Sequence, residues 1–242
     1  MEPLNIDLWT FDVGVEAESP EAYAQEMASR VRQSWESGAD VVVFPEYAWM
    51  GLERFVQDED KLRGVSRLFW DVLWPELQTS LAVTGKAAVL GTVPHGHSHD
   101  GKTTLHNRAP ILCEGKALYQ DKLSLTPWES ALSRSDTLHL WKLRGTTFAV
   151  LICLDIEVPE YAAALRGKGV DCLLVPSATD SELGVERVGR CASARAVELC
   201  AYVGVSQLTG AADCLLVDEN VGRLAWLRPS QSPFAESVRM SP

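Results

Sequence analysis

The sequence predicts a layered α/β fold, with a mixed sheet and helices packed outside it. Three observations lead there. Apolar runs of strand length alternate with helical stripes in the first part of the chain. Hairpin-like pairs then break the alternation and bring antiparallel pairing into a parallel pattern. At 242 residues, 46% of them hydrophobic, the chain is long for one domain and short for two. Residues 1–242 are therefore expected to form one large domain, with a loose tail from about residue 229.

Each element has its own signal. Residues 4–8 make a plausible first strand. Ser19, Pro20 and Glu21 read as a helix start: a capping hydroxyl, a proline at the first helical position and an acid beside it. Tyr23, Met27, Val31 and Trp35 follow in steps of four and form one apolar stripe, which Gly38 is placed to end. Residues 41–44 are all β-branched or aromatic, as in a strand buried on both faces. Residues 60–82 read as helical, with Leu62, Val65, Phe69 and Leu73 on one face and Pro75 as a kink or division. Residues 87–92 form the next strand, and the polar stretch 94–102 reads as a loop.

Residues 109–113 and 117–120 flank Gly115 as a hairpin, while 121–135 has no clear period. Residues 138–143 and 147–152 form a second hairpin-like pair around Arg144 and Gly145. A short helix is expected over 159–168, a buried strand over 171–175, a long helix over about 185–200 and a strand over 201–205. Two short strands near 214–217 and 223–227, joined by 218–222, complete the pattern.

Composition excludes several function classes. A net charge of −11 argues against nucleic-acid partners, which need a basic surface. No apolar run is long enough to span a bilayer, so no membrane partner is expected. The first five residues carry an early acid and no basic-then-apolar leader. The six cysteines are scattered without a C-x-x-C pair, which reads as reduced thiols and a cytoplasmic location.

Three polar groups stand at the ends of apolar strands: Glu46 after 41–44, Lys122 after 117–120 and Cys153 after 147–152. Each alone has a plain structural explanation. A free cysteine is often a small core residue, and a buried charge is usually paired. Together they make chemical sense. A carboxylate can take the proton from a thiol, and an ammonium can hold the thiolate and then a tetrahedral oxyanion. The backbone N–H of Leu154, in the turn after the strand, is a second oxyanion donor. The product would be a thioester that water cleaves. None of the five histidines sits at a comparable strand end, which weakens a Cys–His reading.

These segments resemble the nitrilase superfamily, the carbon–nitrogen hydrolases that use a Glu-Lys-Cys triad. The matching stretches are Ala39-Asp40-Val41-Val42-Val43-Phe44-Pro45-Glu46, then Lys122-Leu123-Ser124-Leu125-Thr126-Pro127-Trp128-Glu129, then Leu151-Ile152-Cys153-Leu154-Asp155 with Val158-Pro159-Glu160. Weaker matches surround them, among them His106-Asn107 and residues 169–178 and 194–198. The resemblance covers roughly residues 4–227. It implies that Glu46 is the general base, Lys122 the stabiliser of the oxyanion, Cys153 the nucleophile and Glu129 a second glutamate that positions substrate. It also implies a four-layer αββα sandwich, mixed sheets with outer helices, homodimers or higher homo-oligomers, and no metal or organic cofactor. Trp9, where many relatives carry glutamine, and residues 210–213, where they carry a glycine–serine stretch, depart from the pattern.

Cys153-Leu154-Asp155 resembles the amidase-like branches, whereas nitrile-specific members more often have Trp-Glu after the cysteine. The expected reaction is hydrolysis of a small amide, releasing ammonia or an amine. Nitrile and carbamoyl-amide hydrolysis share the triad and stay open as alternatives, as does a non-catalytic binding member of the same fold, which the intact residue set disfavours. Relatives that bind a substrate carboxylate often have arginine just after the nucleophile. Glu157 would repel such a group, pointing to a neutral or amine-bearing substrate, unless it is paired with Arg166 or Arg190. Tyr47, Trp49 and Trp128 either wall an apolar pocket or pack as core. His95, His97 and His99 alternate, but no second cluster completes a coordination shell, so no metal site is expected.

Overall fold

A computed structural model describes residues 3–99, 102–212, 214 and 216–229. The chain begins with β1 (Ile6–Leu8), β2 (Phe11–Asp12), α1 (Pro20–Glu36) and β3 (Val41–Phe44). A near-continuous helical segment follows, made of α2 (Lys61–Arg67), a π-helical turn (Leu68–Leu73) and α3 (Trp74–Ser80). Next come β4 (Ala87–Leu90), β5 (Val93–His99), β6 (Lys102–Cys113), β7 (Lys116–Asp121), β8 (Leu140–Leu143) and β9 (Thr146–Val150). The rest is α4 (Pro159–Leu165), β10 (Cys172–Ser177), α5 (Glu182–Leu199), β11 (Tyr202–Ala211), β12 (Glu219–Asn220) and β13 (Ala225–Leu227).

The strands form two mixed sheets. The first runs β1-β3-β4-β6-β5, with β7 paired to β6. The second runs β12-β11-β10-β9-β8, with β13 and β2 also paired to β11. The β1, β3 and β4 pairings are parallel, as are those of β9, β10 and β11, while the hairpins are antiparallel.

The sequence alternation explains the layering. Val42 and Phe44 of β3 pack with Tyr23, Met27 and Val31 of α1 in one core. Val41 and Val43, pointing the other way from the same strand, pack with Val150, Leu173 and Val205 of the second sheet. Val188, Ala192 and Ala196 of α5 close that second core from outside. The result is an αββα sandwich, as the resemblance implied.

Several expectations are corrected. Residues 94–99 are not a loop: β5 pairs antiparallel with β6 from Val93↔Arg108 to His99↔Lys102. Its polar alternation is that of a strand pairing on one side only, at the end of its sheet. Pro75, read as a kink or division, stands in the first turn of α3 just after the π-helical turn that divides the segment, where a missing N–H is tolerated. The strand expected at 201–205 extends to Ala211. A strand was expected near 214–217; the described residues there are irregular, and β12 falls instead at Glu219–Asn220. Residue 215 and the predicted tail beyond 229 lie outside the described residues. Among the described residues no helix is long and apolar enough to cross a membrane.

Candidate active site

Three strand ends deliver the polar groups that the sequence singled out. Glu46 stands two residues beyond β3, Lys122 follows β7 directly, and Cys153 opens the 3-10 helix Cys153–Glu157 just beyond β9. Both turns carry left-handed backbone at a side-chain-bearing residue, with φ 58° at Tyr47 and φ 46° at Cys153. Such strain is uncommon outside glycine and is held only where the surroundings enforce it. Tyr47 is held by its backbone N–H, which donates to Thr92 Oγ1 at 2.9 Å. Gly91 lets β4 come this close: a Cβ there would lie 2.3 Å from the Pro45 carbonyl oxygen.

Lys122, only 1% exposed, is the hub. Its Nζ donates to Glu46 Oε1 at 2.7 Å and to Glu129 Oε1 and Oε2 at 2.9 and 2.8 Å. Asn107 Nδ2 bridges the same two carboxylates, at 2.8 Å from Glu46 and 3.3 Å from Glu129. The Ala178 N–H donates to Glu46 Oε2 at 3.0 Å. Glu129 also accepts from the Tyr47 hydroxyl and, at 2.8 Å each, from the N–H and hydroxyl of Thr126. Buried carboxylates are tolerated only with such compensation.

The electrostatics follow from burial and charge. Burial pushes the Cys153 thiol up to about 12, with the Glu46 charge adding to it and Lys122 opposing. Ser177 Oγ donates to Cys153 Sγ at 3.3 Å. Burial and the neighbouring Glu129 raise Glu46 above the usual carboxylate range, against the pull of Lys122. For Glu129 burial works upward, but Lys122, Tyr47 and Thr126 outweigh it and hold the carboxyl low. Burial disfavours the Lys122 charge, yet Glu46, Cys153 and Glu129 together keep it above the ordinary lysine range. The resting arrangement is thus a neutral thiol beside the Lys122 ammonium, which Glu46 and Glu129 hold between them. Glu46 is the carboxylate of the two better suited to take up a proton, because its affinity for one is raised.

Cys153 opens onto a cavity of about 590 Å³ that also exposes Glu46, Lys122, Leu154 and Glu157. The first intrahelical bond of the 3-10 turn runs from Asp155 N to Ile152 O at 2.9 Å. The Leu154 N–H therefore precedes the first intrahelical donor, Asp155 N, as an oxyanion donor should.

The aromatic residues divide. Tyr47 lines the cavity but is buried and tied to Glu129, and Trp128 lines it at 61% exposure. Trp49 does not wall the pocket: it is core, packed on Phe69 with its indole N–H donating to the Leu90 carbonyl. Glu157 is not paired with Arg166 or Arg190 but with Arg187, whose Nε lies 2.7 Å from Oε2, one helical turn before Arg190. Asn107, Thr126 and Ser177 were given no role from sequence. Only the match of His106-Asn107 to the family pattern hinted at one for Asn107.

The chain belongs to the carbon–nitrogen hydrolase family, whose family model matches residues 8–230. It is 29% identical over 195 residues to the probable hydrolase YhcX of Bacillus subtilis, covering 78% of this chain and 37% of that one. It is 32% identical over 172 residues to an (R)-stereoselective amidase of a Pseudomonas species, covering 68% of this chain and 58% of that one. The chain therefore spans well under two thirds of the length of either relative. Among solved structures, the NitN amidase from Nesterenkonia sp. AN1 superposes with a TM-score of 0.73 at 21% identity, covering 94% of this chain and 86% of that one. Nit3 of Saccharomyces cerevisiae, a member of branch 10 of the nitrilase superfamily, superposes with a TM-score of 0.68 at 20% identity, covering 93% and 82%. At these identities the structural likeness speaks to the fold.

Proposed function

We propose that this chain hydrolyses the C–N bond of a small non-peptide amide through a thioester on Cys153. The observation that carries the proposal is the Lys122 ammonium held between Glu46 and Glu129 in the buried lining of the thiol cavity. Glu46 takes the thiol proton as sulfur attacks the carbonyl carbon. Lys122 and the Leu154 N–H hold the oxyanion. The tetrahedral intermediate expels ammonia or an amine, which leaves with the proton from Glu46. Water, deprotonated by Glu46, then attacks the thioester, and the thiolate leaves with that proton. Glu129, kept ionised, orients Lys122 and the incoming amide. The amidase relatives support an amide over a nitrile. Ammonia or amine release from a panel of short amides and nitriles tests this, with Cys153→Ala as control; turnover of nitriles alone would overturn the amide assignment.

Substrate charge follows from the cavity wall. Beyond the reacting groups, its described residues carry Glu157, Asp180, Asp218 and Glu219 against one cation, Arg187. Arg187 engages Oε2 of Glu157, and the buried Oε1 has no partner among the described residues. The field favours a neutral or amine-bearing amide and opposes a carboxylate.

A further inference from the structure

We infer that Asp155 is the positioning residue that sets the Lys122 ammonium against the Cys153 thiol. The inference rests on the chemistry proposed for those two groups. Asp155 is fully buried, and the substrate cavity is lined by other residues. Its carboxylate instead ties two backbone segments together. Oδ1 accepts from Ser124 N at 2.8 Å and from Leu123 N at 3.2 Å. Oδ2 accepts from the same Leu123 N at 3.2 Å and from Ile152 N at 3.1 Å. Leu123 and Ser124 directly follow Lys122, and Ile152 directly precedes Cys153. One carboxylate thus binds the residues adjoining the ammonium to the residue adjoining the thiol, across sheets that share no strand pairing.

The segment after Lys122 is also fixed from its other side. Lys122 N donates to the Asn107 carbonyl at 2.9 Å, anchoring it to β6. Ser124 Oγ meets the Tyr161 hydroxyl at 2.7 Å, anchoring it to α4. Asp155 N returns to the Ile152 carbonyl, so the carboxylate is itself held by the turn it supports. Asparagine fits the same space, but its Nδ2 donor would face an N–H on one of the two segments. The Asn variant should therefore release one segment while leaving the core volume intact.

The test uses acrylamide, followed by intact mass, because it needs no knowledge of the natural substrate. Wild-type protein should form a saturable addition product at Cys153, sulfur bonding to the β-carbon of acrylamide and the thiol proton passing to its α-carbon, so that the mass rises by one whole acrylamide. Asp155→Asn, shown folded by a cooperative melt, should lose about 100-fold in the maximal rate of adduct formation, since misplacement of about 1 Å can cost that much. The half-saturating concentration should stay within about threefold, because the cavity wall is untouched. A folded variant that reacts at the wild-type maximal rate overturns the inference. Failure of wild type to react faster at Cys153 than at the other cysteines would instead overturn the activated-thiol chemistry. If the variant does not fold, hydrogen exchange on wild type decides. A shared acceptor requires the Leu123, Ser124 and Ile152 amides to open together, with protection equal within about threefold; unrelated protection overturns the shared tie.

Discussion

Lys122 Nζ lies 2.7 Å from Glu46 Oε1 while both side chains are almost wholly buried. The same ammonium holds both oxygens of Glu129, so one cation serves two carboxylates. Replacing it leaves buried negative charge without a partner, and breaking such a pair costs about 3–5 kcal/mol. Lys122→Met should lower unfolding stability by that order and reduce turnover by at least about 100-fold, as loss of an oxyanion donor does. Urea unfolding and amide turnover measured side by side check both; a stable, active variant would mean that the cation is dispensable.

Glu129→Gln separates positioning from nucleophilicity. The carboxylate accepts from Tyr47, Thr126, Asn107 and Lys122, and a glutamine amide would turn donors toward donors. Turnover should fall by about 100-fold, the range for misplacement of a reacting group by about 1 Å. A variant within threefold of wild type, by about the same measure, would place Glu129 outside the chemistry.

Asp155 makes a prediction in pH. Burial lifts its carboxyl from the usual 3.8 to about 7, although Lys122 and three backbone N–H groups pull the other way. Across that window the folded chain keeps a proton that the unfolded chain has released. Stability therefore falls as pH rises from about 4 to 7. Glu46, raised in the same sense, adds a slope of the same sign. Asp155→Asn should remove its own share, so urea midpoints of variant and wild type should converge toward neutral pH. Parallel curves would show that Asp155 titrates as it does in the unfolded chain.

Glu157→Gln tests the substrate field. Removing this charge should lower kcat/KM for an amine-bearing amide by about tenfold, the worth of one charged hydrogen bond, and leave a neutral amide nearly unchanged. Equal effects on both amides would reduce Glu157 to its pairing with Arg187.

Strand ends made the site legible. An apolar run that stops on Glu46 or Cys153 states where a charge or thiol must emerge, and the layered fold follows from runs like residues 41–44, whose alternate side chains enter two different cores. Between pocket wall and core, Trp49 takes the core, because adjacency in sequence does not set direction: the left-handed turn at Tyr47 sends the next residues back inside. Arg187 was missed as the partner of Glu157 because the pair joins a 3-10 turn to α5 across the fold. The β5 strand was hidden because its alternating histidines and glycine carry turn-like composition, and only pairing with β6 makes them extended. Asp155 sat inside a recognised motif, yet three of its four hydrogen bonds come from the loop after β7, about thirty residues away.

The central claim is that Cys153 forms a covalent acyl intermediate from an amide. Intact mass of protein mixed with a pool of short amides and quenched early tests it most directly, with Cys153→Ala in parallel. The account predicts a mass increment equal to one acyl group on the native protein, absent from the variant, with ammonia or an amine released in step. Turnover that persists in Cys153→Ala, or an increment that maps to another cysteine, would contradict it.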